Sequence, residues 1–298
     1  MSSLKNTLVN DTGYIQLPVG TTAQRPGSPQ LGYMRFNTDN NAIEAYMSVG
    51  GSGGWDNVLK GPGDGSTSGK AATSAQDIKT ITGTTTSAYY WILIGSTPTQ
   101  VYCDMTGATA WMLAMHVSKT SHATFGYNSA YWTDSSDLNP TGDPLTDINI
   151  KNGVVWTGYT VSNIRLTGSA TVNAYTSNPL TFTGFGATLQ TIFSSAANSY
   201  DSNVNIGRTA WINWSNAVSG TSTSQWDNQP NCNRDGINVN GVYHFARIGI
   251  TFNNEADCAT NDSGVGFGMY YQGIDTGAGG QTWSATTAYP CHGWLWVN

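Results

Sequence analysis

Hydrophobic and polar positions alternate in short bursts along this chain, with turn-forming residues between the bursts, a pattern of short strands rather than long helices. Near the start, YMRFN (33–37) and AIEAYM (42–47) both alternate. Thr38, Asp39, Asn40 and Asn41 lie between them, and Asp and Asn tolerate the left-handed backbone of a tight turn, so a β-hairpin is predicted. Pro18, Pro26 and Pro29 hold the preceding segment extended and exclude helix there. A hairpin of this size buries too little apolar surface to stand alone. It needs neighbours, and copies of itself from other subunits would serve.

Beyond it, AQDIK (75–79) predicts a short helix, and YYWILI (89–94) and TQVYCDM (99–105) predict strands. WMLAMHV (111–117) follows a Gly-containing turn as a third strand, and His116 within it reads as a core residue. Another strand spans 248–252. At the end, Trp294 and Trp296 alternate with Leu295 and Val297, which puts at least one tryptophan in a core. GPGDGSTSGKAATS (61–74) has no apolar anchor and reads as a flexible linker. The predicted organisation is a β module over 1–60, the linker over 61–74 and a large domain over 75–298. The predicted class is mainly β with short helices (α+β).

Composition narrows the functions. A chain of 298 residues suits one large domain with a small appendage. Its net charge is −6 and its 12 Lys and Arg are scattered singly, which argues against a nucleic-acid partner. No apolar run approaches the roughly 20 residues that cross a bilayer, so no membrane insertion is expected. MSSLKNTLVN carries no apolar signal core, so assembly in a cytoplasm is expected. Abundant Gly, Trp and Tyr among Thr, Ser and Asn are common in carbohydrate binders and extracellular fibres, and equally in generic loop-rich β domains.

The densest chemistry lies in TFNNEADCATND (251–262). Asn253, Asn254, Glu255, Asp257, Asn261 and Asp262 are hard oxygen ligands of the kind that calcium takes six to eight at a time. Gly264, Gly266 and Gly268 would let carbonyls turn inward, and Asp134, Asp137, Asp143 and Asp275 could contribute from elsewhere. No EF-hand spacing is present, and turn chemistry alone also favours Asn and Asp. The four cysteines, 103, 232, 258 and 291, allow three pairings if all are bridged, and a reduced state is equally open in a cytoplasm. No CxxC occurs, which speaks against a zinc knuckle. Glycoside hydrolysis needs two facing carboxylates. Glu occurs only at Glu44 and Glu255, no Asp pair is marked, and there is no GxSxG, HExxH or Walker motif, so an enzyme is not expected.

Two stretches carry family resemblances. LPVGTTAQRP (17–26), GYMRFNTD (32–39), IEAY (43–46) and Trp55 resemble a short module of bacteriophage virion proteins, particularly fibres. That resemblance implies a place in the virion, contact with other virion proteins, and oligomeric assembly. Asp77-Ile78, the aromatic strand, QVYCDM (100–105) and Trp111 resemble the opening of the fibrinogen C-terminal-like domain shared by ficolins and, in divergent form, intelectins. The cysteine usual at the position of Ala75 is missing, so Cys103 must pair elsewhere or stay reduced. GVYHFARIGITFNNEADC (241–258), GFGMYYQGIDTGAGGQ (266–281) and CHGWLWVN (291–298) resemble the intelectin ending, while 118–230 matches loosely, best in WTDSSDLNP and NIKNGVV.

This second resemblance implies a twisted antiparallel sheet with calcium-braced loops that binds acetylated groups or exposed diols of surface glycans and is not an enzyme. Calcium would accept two vicinal hydroxyls of a sugar. Tyr270, Tyr271, Trp283 and Tyr289 would pack on its apolar face, with Asp275 and His292 as polar contacts. The His- and Glu-bearing, cysteine-flanked segment of the intelectin sugar site has no counterpart here. The resulting expectation is a phage fibre, a homotrimer gaining from multivalency, that recognises host cell-surface polysaccharide. A decoration protein that binds no sugar and a glycan-cleaving spike are the rivals.

Overall fold

The computed structural model describes residues 13–49, 52–58, 63–222, 226–241, 243–256, 260–282 and 287–298. The chain is mainly β with short helices, at 40% strand and 18% helix, and divides into two compact units, Met1–Gly61 and Pro62–Asn298. Among the described residues no helix is long and apolar enough to cross a membrane.

The first unit is a four-stranded sheet in the order β1 (Val19–Gly20), β2 (Met34–Asn37), β3 (Ala42–Val49), β4 (Ser52–Asn57). The predicted hairpin is β2–β3, and Asn41 in its turn has φ 49°, the left-handed conformation that Asn tolerates. A single 3₁₀ turn, Thr22–Gln24, sits between Pro18 and Pro26. One face of the sheet is polar and closed. Arg25 donates to Glu44 at 3.1 and 2.6 Å, the Arg35 guanidinium lies 3.4 Å from the same carboxylate, and Asn37 donates to it at 2.9 Å. Hydrogen bonding from Arg25 holds the Glu44 carboxyl below its usual range, outweighing the cost of burial.

Residues 63–74 are not a linker. They are built into the second unit: Gly65 donates to Lys70 O and accepts from Trp91 N, while Ala72 exchanges main-chain bonds with Trp91 and Leu93. Main-chain pairing and Ala72 in the core hold a segment whose side chains are almost featureless, which is why composition misled.

Ser74 then caps α1 (Ala75–Thr82), accepting from Asp77 N, and Gly83 ends it at φ 68°. A seven-stranded sheet follows. It comprises β5 (Ala88–Ile94), β6 (Thr97–Asp104), β7 (Trp111–Val117), the short β8 (Ile150–Lys151), β9 (Val161–Ser169), β10 (Leu180–Ala187) and, last in the chain, β16 (His292–Val297). Its order is β10-β9-β16-β7-β6-β5, with β8 on β7. The C-terminal strand therefore sits in the middle, antiparallel to both β7 and β9. Trp294 and Trp296 are both fully buried on one face, in a cluster with Tyr102, Trp111, Leu113 and Ile150. Arg165 crosses that cluster, between the rings of Trp111 (4.8 Å) and Trp296 (5.0 Å), to reach Asp104 at 2.6 Å.

The other face meets the main core. Helices α2 (Gly153–Gly158), α3 (Leu189–Phe193), α4 (Asp201–Val204) and α5 (Arg208–Ser219) pack there, and α5 lies against β9 and against the third sheet. That sheet runs β11 (Asn231–Asn240), β12 (His244–Asn253), β13 (Ser263–Tyr271), β14 (Ile274–Thr282), β15 (Thr287–Pro290), each antiparallel to the next. Cys103 and Cys291 are free and buried, and Cys232 is disulfide-bonded.

Candidate functional site

The third sheet is creased. Gly236, Gly249, Gly266 and Gly279 pair in register across β11, β12, β13 and β14, and Pro290 continues the row on β15. A Cβ on Gly266, whose φ is +147°, would sit 2.6 Å from Gly249 Cα. The two strands approach more closely along this row than side chains permit. The bend is sharp. Gln281 Nε2 donates to Ile274 O at 3.1 Å within β14, although seven extended residues would span about 23 Å. The crease likewise brings His244, whose ladder partner is Tyr271, to Gly264 seven residues earlier, where a Cβ would touch its ring at 2.9 Å.

Folding over sorts the predicted ligands into an inner and an outer group. The inner group surrounds His244, which is fully buried and stacks on Tyr271 with centroids 4.6 Å apart. Its nitrogens face the Gln281 side chain and the Asp262 main chain, and burial pushes its pKa down to about 3, so it is neutral. Asn261, also buried, donates to Thr251 Oγ1 at 2.6 Å, and Asn253 donates to Thr260 Oγ1 at 3.1 Å. Asn261 Oδ1 and Ser263 Oγ are buried without a hydrogen-bond partner among the described residues. These are oxygens of the type that calcium uses, but they are neutral. Asp262 is the half-buried carboxylate beside them, whereas Asn254 and Glu255 point to solvent. Asp257 lies outside the described residues, as does Trp283. Among the described residues no three His, Cys, Asp or Glu side chains gather closely enough to hold a metal.

The outer group is an aromatic row. Gln272 and Gly273, at φ 43° and 93°, form a two-residue turn that pairs Tyr270 on β13 with Asp275 on β14, and β12 places Phe245 beside Tyr270. Tyr270 and Phe245 lie 5.9 Å apart by centroid, and Phe245 meets Tyr127 at 5.1 Å. All three rings are half-buried. Arg247 anchors the row: its guanidinium lies 4.5 Å over the Tyr127 ring, and it donates to Tyr127 O at 2.7 Å and to Asn238 Oδ1 at 2.8 Å. Asp275 packs against Gly126, where any larger residue would collide with its carboxylate. Burial raises the Asp275 pKa, and the Tyr127 main chain and the His122 ring work against that rise. Planar rings edged by a carboxylate can stack on the C–H face of a saccharide while accepting from its hydroxyls.

The remaining predicted residues go elsewhere. His292 is buried against the rings of His116 and Trp294, its Nδ1 3.6 Å from Asp147, and so orients no surface ligand. Tyr289 is half-buried on β15. Asp134 pairs with Lys151 at 2.7 Å, Asp143 accepts from Leu145 N at 2.9 Å, and Asp137 accepts from Gly153 N at 2.6 Å. These three carboxylates serve local structure. Phe245, Arg247 and Tyr127 escaped sequence reading. The Gln272-Gly273 turn was the available signal, since it dictates the pairing of Tyr270 with Asp275.

No protein-family model matches the chain, and no curated protein matches it either.

Proposed function

We propose that this chain is a virion-appendage protein of a bacteriophage that binds a host-surface glycan through its second unit and assembles as a homotrimer through its first. The observation that carries the glycan reading is the half-buried aromatic row of Tyr127, Phe245 and Tyr270 edged by Asp275 and backed by Arg247. The resemblance of the first 60 residues to virion modules, and of QVYCDM and the terminal strands to the fibrinogen-like lectins, supports the same reading. In it, Asn253, Asn261 and Asp262 would hold calcium, whose chemistry there is to brace the loop against the creased sheet. The residues of the outer row bind and orient the sugar and exclude water from its apolar face; no bond of the sugar is cleaved.

The test is a bacterial polysaccharide array probed with the full chain in calcium and in EDTA, beside Tyr270→Ala. The expected outcome is calcium-dependent binding that Tyr270→Ala weakens about tenfold or more, on the scale of one lost stacking partner of about 1–3 kcal/mol. Released oligosaccharide would make the protein a glycan-cleaving spike. Absence of binding in both conditions would reduce it to a decoration protein.

A further inference from the structure

The first unit is built inside out. Register across its strands puts Arg35, Asn37, Glu44, Tyr46 and Trp55 on one face, which the chain's own 21–30 segment closes through Arg25. The opposite face carries Val19, Met34, Phe36, Ile43, Ala45 and Met47. Val19 is 62% exposed and Met34 44%, while the buried positions of β2 are the polar Arg35 and Asn37. Among the described residues of this unit Ala45 is the one fully buried hydrophobic side chain, too small a core for a domain of this size.

We infer that this apolar face is an interface between copies of this chain, each burying Val19, Met34, Phe36, Ile43 and Met47 against its neighbours. The inference rests on the reading of the first unit as the assembling part and names the surface that assembles. Three features select a second copy as the occupant. The face is nearly uncharged, with Asp56 at its β4 rim, while Arg25, Arg35 and Glu44 pair on the other side; a highly charged partner finds little there to pair with. Val19 and Met34 on this face, and Tyr14 and Ile15 in the segment leading into β1, are all exposed, apolar area of the kind that makes up the ~800 Å² each partner contributes to a stable interface. A uniformly apolar patch can also meet any other part of itself on a second copy, which suits a closed ring, where two different parts of one surface face each other across each interface.

The experiment is sedimentation velocity on the full chain at micromolar concentration, with Val19→Lys, Met34→Lys and the conservative Met34→Leu. Wild type and Met34→Leu are expected to sediment as a single oligomer, three chains for a closed ring. Either lysine variant is expected to sediment as one chain, with the near-UV dichroism of the second unit unchanged. A monomeric wild type, or lysine variants that remain oligomeric, would overturn the inference. Glycan binding reads out separately: the monomeric variants should keep single-site affinity for a short oligosaccharide and lose 100-fold or so in avidity for a polymer. An oligomer that binds no glycan would sink the lectin reading and leave this interface standing.

Discussion

Replacing Gly266 with alanine tests whether the crease is held open by close backbone approach. The new Cβ would lie 2.6 Å from Gly249 Cα and closer still to Ile248 O, and both are main-chain atoms that no rotamer change can move. Either β12 or β13 must shift, yet Ile248, Ile250 and Phe252 on β12 are fixed in the core. Overpacking of this kind costs about 1–3 kcal/mol, and alanine at φ +147° adds strain of similar size, for about 2–5 kcal/mol together. In a unit of this size that lowers the melting temperature by roughly 5–15 °C. Gly186→Ala is the control: φ is +69° but nothing lies within 4 Å, so it carries the strain alone, about 1 kcal/mol. Scanning calorimetry on the two variants and wild type reads the difference directly. Tyr270 and Phe245 each sit four residues from the crease on adjacent strands, so Gly266→Ala should also weaken the glycan binding proposed for that row. Equal melting of the two variants would refute the claim that main-chain contact shapes this sheet.

Two further outcomes are expected. Asp134→Ala strands the Lys151 ammonium, which is fully buried 5.3 Å from the Trp156 ring, at a cost of about 3 kcal/mol, discounted because Asp134 is one-third exposed. Burial alone would raise the Asp134 pKa, but Lys151 and Ser136 together hold it below 3.8. Its stabilisation is therefore complete above pH 3.8 and lost as pH falls through the lowered value, so melting curves of wild type and variant should converge at the acid end and diverge above pH 4. Burial also raises the thiol pKa of Cys103 and of Cys291, the latter to about 12. Mass spectrometry after iodoacetamide should find both unmodified in the native protein and both alkylated in urea; native labelling of either would contradict their burial.

Much of the local structure was legible before any contact was known. The hairpin at β2–β3, the helix at α1, the strands β5 to β7 and the core role of His116 follow from alternation, capping and turn residues within a few positions of each other. Helices α2, α3 and α5 did not, because their apolar positions are interleaved with Asn, Ser and Thr and are decided by packing against Trp132, Phe182 and Phe267 rather than by propensity. The 63–74 segment failed for a related reason: the bonds that tie it to β5 are made by main chain, which composition cannot display.

The candidate site shows where the division falls. The side chains that could bind, Tyr270 and Asp275 on the sugar side and Asn261 and Asp262 on the metal side, stand out by type alone. The residues completing each group come from elsewhere: Phe245 and Arg247 from β12, Tyr127 from a loop more than a hundred residues earlier, His244 from across the crease. His292 was drawn by the same register into the core beside Trp294. Which side chains this protein carries at the candidate site, and the period of its strands, were properties of the chain itself. Which of them share a face was decided by strand order and by a row of glycines that folds one sheet over, because ladder register is a long-range choice made by burial and not by neighbours in sequence.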